Sequence, residues 1–338
     1  MPTKSKKPPH DLIVLASENS RYKLKALAKI LSKSPQRIKY NLKQLSSPTL
    51  ILSHPHCIFD YSYFGLILFR VYFKNSFISE KEKQKILEIL NANQYIIAIY
   101  ELSGEFDLVI ELAAHNPSRI NKELKNLAGF IPALNDYKLI LNIVTHLYPK
   151  TFLLQSPELT SEFEKQLIIG GDRQQVSFNN NELMIMKNLL DNPNIRLSSL
   201  AKSSSINIKT AISILSSLKK KKIIKGFKQT LNNESLEIEK TRLFLKLHNI
   251  SKEREDELLD FCLETREITQ INKTVGDWDM EVDLESLSKP RVKLIINKLR
   301  EQFKDIIANF NREEFNEYYK KTYLPKHIFS PDLKSLLV

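Results

Sequence analysis

Glycine and cysteine are both scarce in this chain. Only 7 of the 338 residues are glycine, and none has the GxGxxG or GxxxxGK spacing of phosphate-binding loops. The two cysteines, Cys57 and Cys262, show no CxxC pattern, so neither a disulfide framework nor a structural zinc site is supported. We therefore expect no nucleotide-fold enzyme and no metal site, and a reducing compartment fits the cysteine content.

Long apolar runs are also missing. The most apolar stretch, residues 63–73, is interrupted by Arg70 and is shorter than the about 20 residues that cross a bilayer. The first residues contain Lys4, Lys6 and Lys7, but the apolar segment of a signal peptide does not follow them. Because 42% of the residues are apolar, the chain can build real cores. We expect a cytoplasmic protein that does not contact a membrane and has two or more domains.

The positive charge is concentrated in two segments. The net charge is +12, and it is divided as +9 over residues 1–57, 0 over 58–150, −2 over 151–177, +8 over 178–233 and −3 over 234–338. The same order of basic and neutral or acidic segments occurs twice. Clusters of basic residues of this kind are typical of phosphate contact in nucleic-acid binding.

A comparison of the chain with itself indicates an internal repeat. At an offset of 173 residues, Leu-Ala-Lys at 27–29 falls on Leu-Ala-Lys at 200–202. At an offset of 172, Gly-Glu-Phe-Asp at 104–107 falls on Gly-Asp-Trp-Asp at 276–279. Similarity at a fixed long offset indicates that the chain contains two copies of one structural plan.

The first part of each copy predicts three short helices, of which the third has one apolar and one polar face. We expect Ser34 and Asn207 to be the N-caps of these third helices. Two helices joined by a tight turn, with a polar outer face on the second, can insert a recognition helix into the major groove. The side chains predicted to contact DNA from these faces are Gln36, Arg37, Tyr40, Lys43, Gln44, Lys209, Thr210, Ser213 and Ser217.

A short β-hairpin is predicted after each third helix, over residues 50–59 with a turn at His54-Pro55 and over residues 223–231 around Gly226. These wings would contact phosphates. The lysines predicted to do so are Lys220, Lys221, Lys222, Lys225 and Lys228. The alternative is a winged helix that contacts only protein, with the lysine run a solvated helix end.

The second part of each copy predicts the order β-α-β-β-α-β, which is the ferredoxin-like plan. The predicted fold class is therefore α+β, with a winged helix-turn-helix followed by a ferredoxin-like domain in each copy. The predicted domains are winged helix-turn-helix 1 at 1–61, ferredoxin-like domain 1 at 62–150, a linker at 151–177, winged helix-turn-helix 2 at 178–233, ferredoxin-like domain 2 at 234–325 and a tail at 326–338.

This domain order, with a Gly-x-aromatic-Asp turn in each copy, resembles the leucine-responsive regulator (Lrp/AsnC, feast-famine) family. The resemblance implies a sequence-specific double-stranded DNA-binding transcriptional regulator whose second domain dimerises and senses a small effector such as an amino acid. The positions that would correspond to the effector region are Gly104, Phe106, Asp107, Gly276, Trp278 and Asp279. The alternative for both glycines is a plain hairpin position with positive φ, and both aspartates could simply cap the turn.

Two copies in one chain suggest an intramolecular pseudo-dimer in which the two sheets face each other, with further pairing of whole chains left open. The apolar residues expected on these faces are Leu66, Leu68, Val71, Ile97 and Ile99 in copy one and Leu243, Leu245 and Leu247 in copy two.

An enzyme is an alternative to the regulator, because the two-domain plan also resembles that of the siroheme decarboxylases. Candidate residues for tetrapyrrole chemistry are His54, His56, Arg70, His115, His146, His248 and His327. They form no evident acid–base cluster in the sequence. We therefore predict a DNA-binding regulator that is not an enzyme and has no cofactor, and keep the siroheme decarboxylase type and a non-DNA-binding scaffold as alternatives.

Overall fold

The computed structural model describes residues 9–46, 51–77 and 79–330. Both copies fold as predicted, into a helical unit followed by an α+β domain. Copy one contains α1 (His10–Glu18), α2 (Leu24–Ile30), α3 (Pro35–Leu45), β1 (Leu52–Phe59), β2 (Ile67–Phe73), α4 (Glu80–Ala92), β3 (Ile96–Ser103), β4 (Leu108–Ala114), α5 (Pro117–Phe130) and β5 (Tyr137–Leu147). A short strand, β6 (Leu167–Gly170), lies between the copies.

Copy two repeats the order of copy one. It contains α6 (Asn180–Asp191), α7 (Leu197–Ser203), α8 (Ile208–Lys220), β7 (Ile224–Leu231), β8 (Glu239–Leu247), α9 (Lys252–Glu264), β9 (Ile268–Val275), β10 (Met280–Ser286), α10 (Lys289–Gln302) and β11 (Ile307–Lys321). Among the helices within the described ranges, none is long and apolar enough to cross a membrane.

The third helices begin where the sequence predicts. The Ser34 hydroxyl accepts a hydrogen bond from the Arg37 N–H at 3.3 Å, and the Asn207 side chain accepts one from the Thr210 N–H at 2.8 Å. Each bond satisfies a backbone donor that the first turn of a helix leaves free. The apolar stripe of each helix is buried, with Ile38 in α3 inaccessible to solvent, so the polar face of each helix points outward.

The two wings differ from the predicted hairpins. β1 and β7 are single strands that pair with each other, antiparallel, with His56 opposite Lys228 and Ile58 opposite Gly226. Leu50, where the first hairpin was expected to begin, lies outside the described residues. We call this two-stranded β1–β7 pair the ribbon.

The two ribbon strands exchange part of their apolar contacts between the copies. Cys57, Ile58 and Phe59 of β1 pack into the core of α6, α7 and α8, whereas Leu231 of β7 packs into the core of α1, α2 and α3. Each helical unit therefore buries apolar side chains from the other copy. This exchange explains why a hairpin within one copy does not form.

The eight strands of the two ferredoxin-like domains close into one barrel, in the order β2-β4-β3-β11-β8-β10-β9-β5 with β5 paired back to β2. β11 joins the copies by pairing with β3, and β5 joins them by pairing with β9. β11 is much longer than the predicted strand at 306–310, because its second half pairs with copy one. The copies therefore share backbone hydrogen bonds rather than stacking face to face.

Edge pairing also changes where the apolar side chains lie. Val71 and Ile99 pack with residues of α4 and α5, and Leu243 and Leu245 pack with residues of α9 and α10. The expected apolar contact between facing sheets is therefore wrong for these four residues. The interior of the barrel holds polar and aromatic side chains instead, and these define the candidate site.

Candidate functional site

A polar cavity lies at the end of the barrel that faces the helical units. The ribbon covers it, and the residues that line it come from both copies. The lining residues used below are Glu18, His56, Lys150, Lys228, Lys240, Gln270, Glu285, Tyr318, Lys321 and Tyr323. Its volume is about 70 Å³, and a second chamber of about 30 Å³ adjoins it deeper in the barrel, where Gln270, Tyr318 and Lys321 line both. We call the two chambers together the inner cavity.

Alternation along the barrel strands places charged groups in this cavity. In a strand, successive side chains point to opposite faces. Leu243 and Leu245 of β8 face the helices, so Lys240 and Arg242 face the barrel interior, and Asp283 and Glu285 of β10 do the same.

The carboxylates of Asp283 and Glu285 form ion pairs with two of the four lysines that line the inner cavity. Lys240 lies 3.4 Å from an Asp283 oxygen and 3.7 Å from a Glu285 oxygen, and Lys150 also bonds Glu285. Burial opposes ionisation of Glu285, but the attraction of Lys150 and Lys240 outweighs it and lowers the pKa of the carboxyl group. The wall is therefore charged at neutral pH, with Lys150, Lys228 and Lys240 against Glu18 and Glu285.

His56 lies in β1 with its side chain in the cavity, and it is only 6% exposed. Its Nδ1 has no hydrogen-bond partner among the residues that the structure describes, and its ring centroid lies 5.6 Å from that of Tyr323. Burial, reinforced by Lys321 and Lys228, lowers the pKa of the imidazole well below its ordinary value. His56 is therefore neutral at neutral pH, and its ring forms part of the cavity wall.

A buried charged network forms the floor beneath the inner cavity. Arg70 donates to Glu111 at 2.8 Å, to Glu281 at 2.9 Å and to Asn142 at 2.7 Å. Arg242 makes a two-bond contact with Asp283 at 2.7 and 3.0 Å. Because Arg70 and Glu281 come from different copies, this network also fixes the copies against each other.

A larger open cleft adjoins the inner cavity on its outer side. It has a volume of about 680 Å³ and lies between α8, β7 and the segment around Glu162. Lysines line it, namely Lys219, Lys220, Lys222, Lys225 and Lys228. Glu18, Leu147 and Lys228 line both spaces, and the Lys228 ammonium lies 2.5 Å from Glu18 at their boundary. We call this space the outer cleft.

The residues predicted to bind an effector lie at the opposite end of the barrel. Phe106 and Trp278 are buried with ring centroids 6.1 Å apart. Asp107 accepts hydrogen bonds from the backbone and hydroxyl of Ser76, and Asp279 from Lys246 and the Leu247 N–H. Gly104 and Gly276 both have positive φ in the turns before these aromatics. The positive φ of the glycines fits the hairpin alternative, whereas the two aspartates bond to Ser76 and to the end of β8 rather than capping their own turns.

The structure separates the residues predicted to bind DNA into two groups. The exposed ones are Gln36, Arg37, Tyr40, Lys43 and Gln44 on α3, and Lys209, Ser213, Lys220, Lys221 and Lys222 on or after α8, with Thr210 and Ser217 half-buried. The ribbon lysines are instead engaged with carboxylates. Lys225 lies 3.1 Å from Asp60, and Lys228 pairs with Glu18.

The other candidates for tetrapyrrole chemistry are dispersed. His54 is exposed on β1, two residues from His56. The His146 ring bonds Gln166, while His327 stacks on Tyr95 and lies near His115. Only His56 and Arg70 of the predicted set line the inner cavity. Sequence reasoning missed Lys240, Tyr318 and Lys321; charge at alternate positions of β8 could have indicated Lys240, but no local pattern indicates the two residues of β11.

Comparison with known proteins gives matches to solved structures alone. No protein-family model and no curated protein matches the chain. The siroheme decarboxylase NirDL matches with a TM-score of 0.57 and 13% identity, over 97% of this chain and 99% of that one. Its complex with an iron-uroporphyrin III analogue matches with the same TM-score and identity, over 97% of each chain. AsnC of E. coli covers 40% of this chain and 91% of its own, with 19% identity and a TM-score of 0.34.

These matches correct one expectation. The sequence predicted that the chain is not an enzyme, but the fold that covers the whole chain is that of an enzyme, a siroheme decarboxylase. At 13% identity the likeness establishes the fold and not the reaction. The chain has a duplicated α+β fold that is similar, over 97% of its length, to that of siroheme decarboxylase NirDL.

Proposed function

We propose that this chain is an enzyme that binds a tetrapyrrole rich in carboxylate groups and removes carbon dioxide from it, as a siroheme decarboxylase. The observation that carries the proposal is the inner cavity, which His56 and four lysines line together. The full-length likeness to the siroheme decarboxylase fold supports it.

The charge of the site fits such a substrate. Siroheme and uroporphyrin carry acetate and propionate side chains, which are anionic at neutral pH. Lys150, Lys228 and Lys240 against Glu18 and Glu285 leave the cavity wall net positive while His56 is neutral. Charge-assisted hydrogen bonds from lysine to carboxylate are stronger than neutral ones, so this wall favours a carboxylate over an uncharged ligand.

The sizes of the two spaces suggest how the substrate is divided between them. Ligand sites are usually about 300–1,000 Å³, and the outer cleft of about 680 Å³ lies in that range. The inner cavity holds only a small group. We infer that the macrocycle occupies the outer cleft and that one carboxylate side chain enters the inner cavity past the Lys228–Glu18 pair.

Absorbance titration with an iron-uroporphyrin III analogue tests this placement. We expect a shifted Soret band for the wild-type chain and at least about tenfold weaker binding for His56→Ala, roughly 1.4 kcal/mol. His54→Ala is the matched control, because His54 lies on the same strand but is exposed. If the His56 and His54 variants bind the analogue with equal affinity, the ligand does not bind beside His56. If the Soret band of the analogue does not change with the wild-type chain, the proposal that the chain binds a tetrapyrrole is wrong.

DNA binding remains a second candidate because of the polar faces of α3 and α8. Arg37, Tyr40 and Gln44 of α3 are all exposed, and Lys220 and Lys221 extend the basic surface at the end of α8. Side chains of these types can contact base edges or phosphates. Retention on duplex DNA that weakens steeply with salt, and a loss of sequence preference in Arg37→Ala, would support it. Retention that does not change with salt would refute it.

A further inference from the structure

Lys321 lies at the last residue of β11, opposite Ala98 of β3, and lines both chambers of the inner cavity. Its Nζ lies 4.4 Å from the centroid of the Tyr318 ring. The other cavity lysines are held in ion pairs, Lys150 and Lys240 by Glu285 and Lys228 by Glu18. In the part of the chain that the structure describes, no ion pair includes Lys321.

The charged groups around Lys321 disfavour its ammonium form. The cationic or basic groups are His56 of β1, Arg70 of β2, Lys150 after β5, Lys228 of β7 and Lys240 of β8. The acidic groups are Glu18 of α1, Glu111 of β4 and Glu285 of β10, with Tyr318 and Tyr323 beside it. Burial, followed by repulsion from Lys240 and Lys150, lowers the pKa of Lys321 to about 7. Both protonation states are therefore populated near neutral pH.

We propose that Lys321 is the catalytic acid of the decarboxylation, an inference that rests on the proposed function. The bond between the side-chain methylene carbon and the carboxylate carbon breaks, carbon dioxide leaves, and the electron pair remains on the methylene carbon. The Lys321 ammonium transfers one proton to that carbon, which becomes a methyl group. Lys321 is left as a neutral amine and is protonated again from water, so charge and atoms balance.

The other proton carriers of the cavity are less suited to this step. His56 is neutral at neutral pH, because burial lowers the pKa of its imidazole, so it has no ready acidic proton to give. Lys240 and Lys150 are engaged in ion pairs with Glu285. An acid whose pKa is near the working pH transfers a proton most effectively, and Lys321 meets that condition.

Lys321→Met tests the role, with Lys320→Met as the matched control. Lys320 is the neighbouring residue of β11, and its ammonium bonds the backbone carbonyls of Asn91 and Asn93 outside the cavity. We expect Lys321→Met to lower the single-turnover rate of carbon dioxide release from siroheme by about 100-fold or more. Its affinity for the iron-uroporphyrin III analogue should change far less, and Lys320→Met should keep the wild-type rate.

The pH profile separates a proton donor from a merely structural lysine. The wild-type rate should fall as the pH rises through about 7, because the ammonium form is lost. Lys321→Arg keeps length and charge but does not deprotonate, so it should bind the analogue, react slowly and lose this limb of the profile.

The role of Lys321 as the acid is wrong if Lys321→Met reacts at the wild-type rate, or if the rate of Lys321→Arg still falls as the pH rises through about 7. Either result would leave the proposed function intact. A wild-type chain that releases no carbon dioxide would overturn both.

Discussion

Replacement of Arg70 tests whether the charged barrel floor joins the two copies. Arg70 is 1% exposed and donates to Glu111, Glu281 and Asn142 at 2.7–2.9 Å and to Asn272 at 3.1 Å. Arg70→Met fills similar space but removes the ion-pair partner of Glu111 and leaves Glu281 with Arg242, whose guanidinium lies 3.8 Å away. Removal of one partner from a buried ion pair costs about 3–5 kcal/mol.

The surroundings of the two carboxylates indicate the lower end of that range. Glu281 keeps hydrogen bonds from Tyr72, Asn272 and Trp278 at 2.6–3.0 Å, so its charge stays partly compensated. Glu111, in contrast, is held by Arg70 at 2.8 Å. We therefore expect Arg70→Met to lower the free energy of unfolding by about 3 kcal/mol, and we expect the double variant with Glu111→Gln to recover part of it.

Urea unfolding measures this change, because a shift of the urea midpoint at an unchanged m-value gives the change in the free energy of unfolding. The control is Arg254→Met, which removes exposed ion pairs with Glu257 and Asp305 and should shift the midpoint far less than Arg70→Met does. A loss of under about 1 kcal/mol in Arg70→Met would refute the argument that this network joins the copies.

Two further predictions concern acid sensitivity and the strand exchange. Burial lowers the pKa of His327 to about 4, so the unfolded chain binds a proton on this imidazole at a higher pH than the folded chain does, and the free energy of unfolding falls as the pH drops below about 6.5. Between pH 7 and pH 5, the free energy of unfolding of His327→Phe, measured in urea, should fall by up to about 2 kcal/mol less than that of the wild type. An equal fall in the two proteins would contradict this prediction. Because the ribbon places strands of each copy in the core of the other, residues 1–150 and 178–338 expressed apart should show poor cooperative unfolding and recover it on mixing. Two well-folded monomers without mutual affinity would contradict the exchange.

The local features of the fold were predictable from the sequence. The N-caps Ser34 and Asn207 and the buried stripe around Ile38 depend on neighbours within one helix. The β-α-β-β-α-β order likewise follows from short-range pattern and from the repeat. The full-length likeness to the fold of a siroheme decarboxylase agrees with this plan.

The parts that could not be predicted depend on pairing between distant residues. His56 faces Lys228 across the ribbon, and no local pattern specifies that a wing strand pairs with the other copy. β11 continues to Lys321 only because β3 of copy one pairs with its second half. Lys321 therefore reaches the cavity through a contact that the sequence of copy two alone does not contain, and the same is true of the Arg70–Glu281 pair.

Mass spectrometry of siroheme after incubation with the purified chain tests most directly the claim that this chain decarboxylates siroheme. The account predicts a product that has lost the mass of one or more carbon dioxide molecules, formed by the wild-type chain and by His54→Ala but much more slowly by His56→Ala. Unchanged siroheme after incubation with a folded wild-type chain would contradict it.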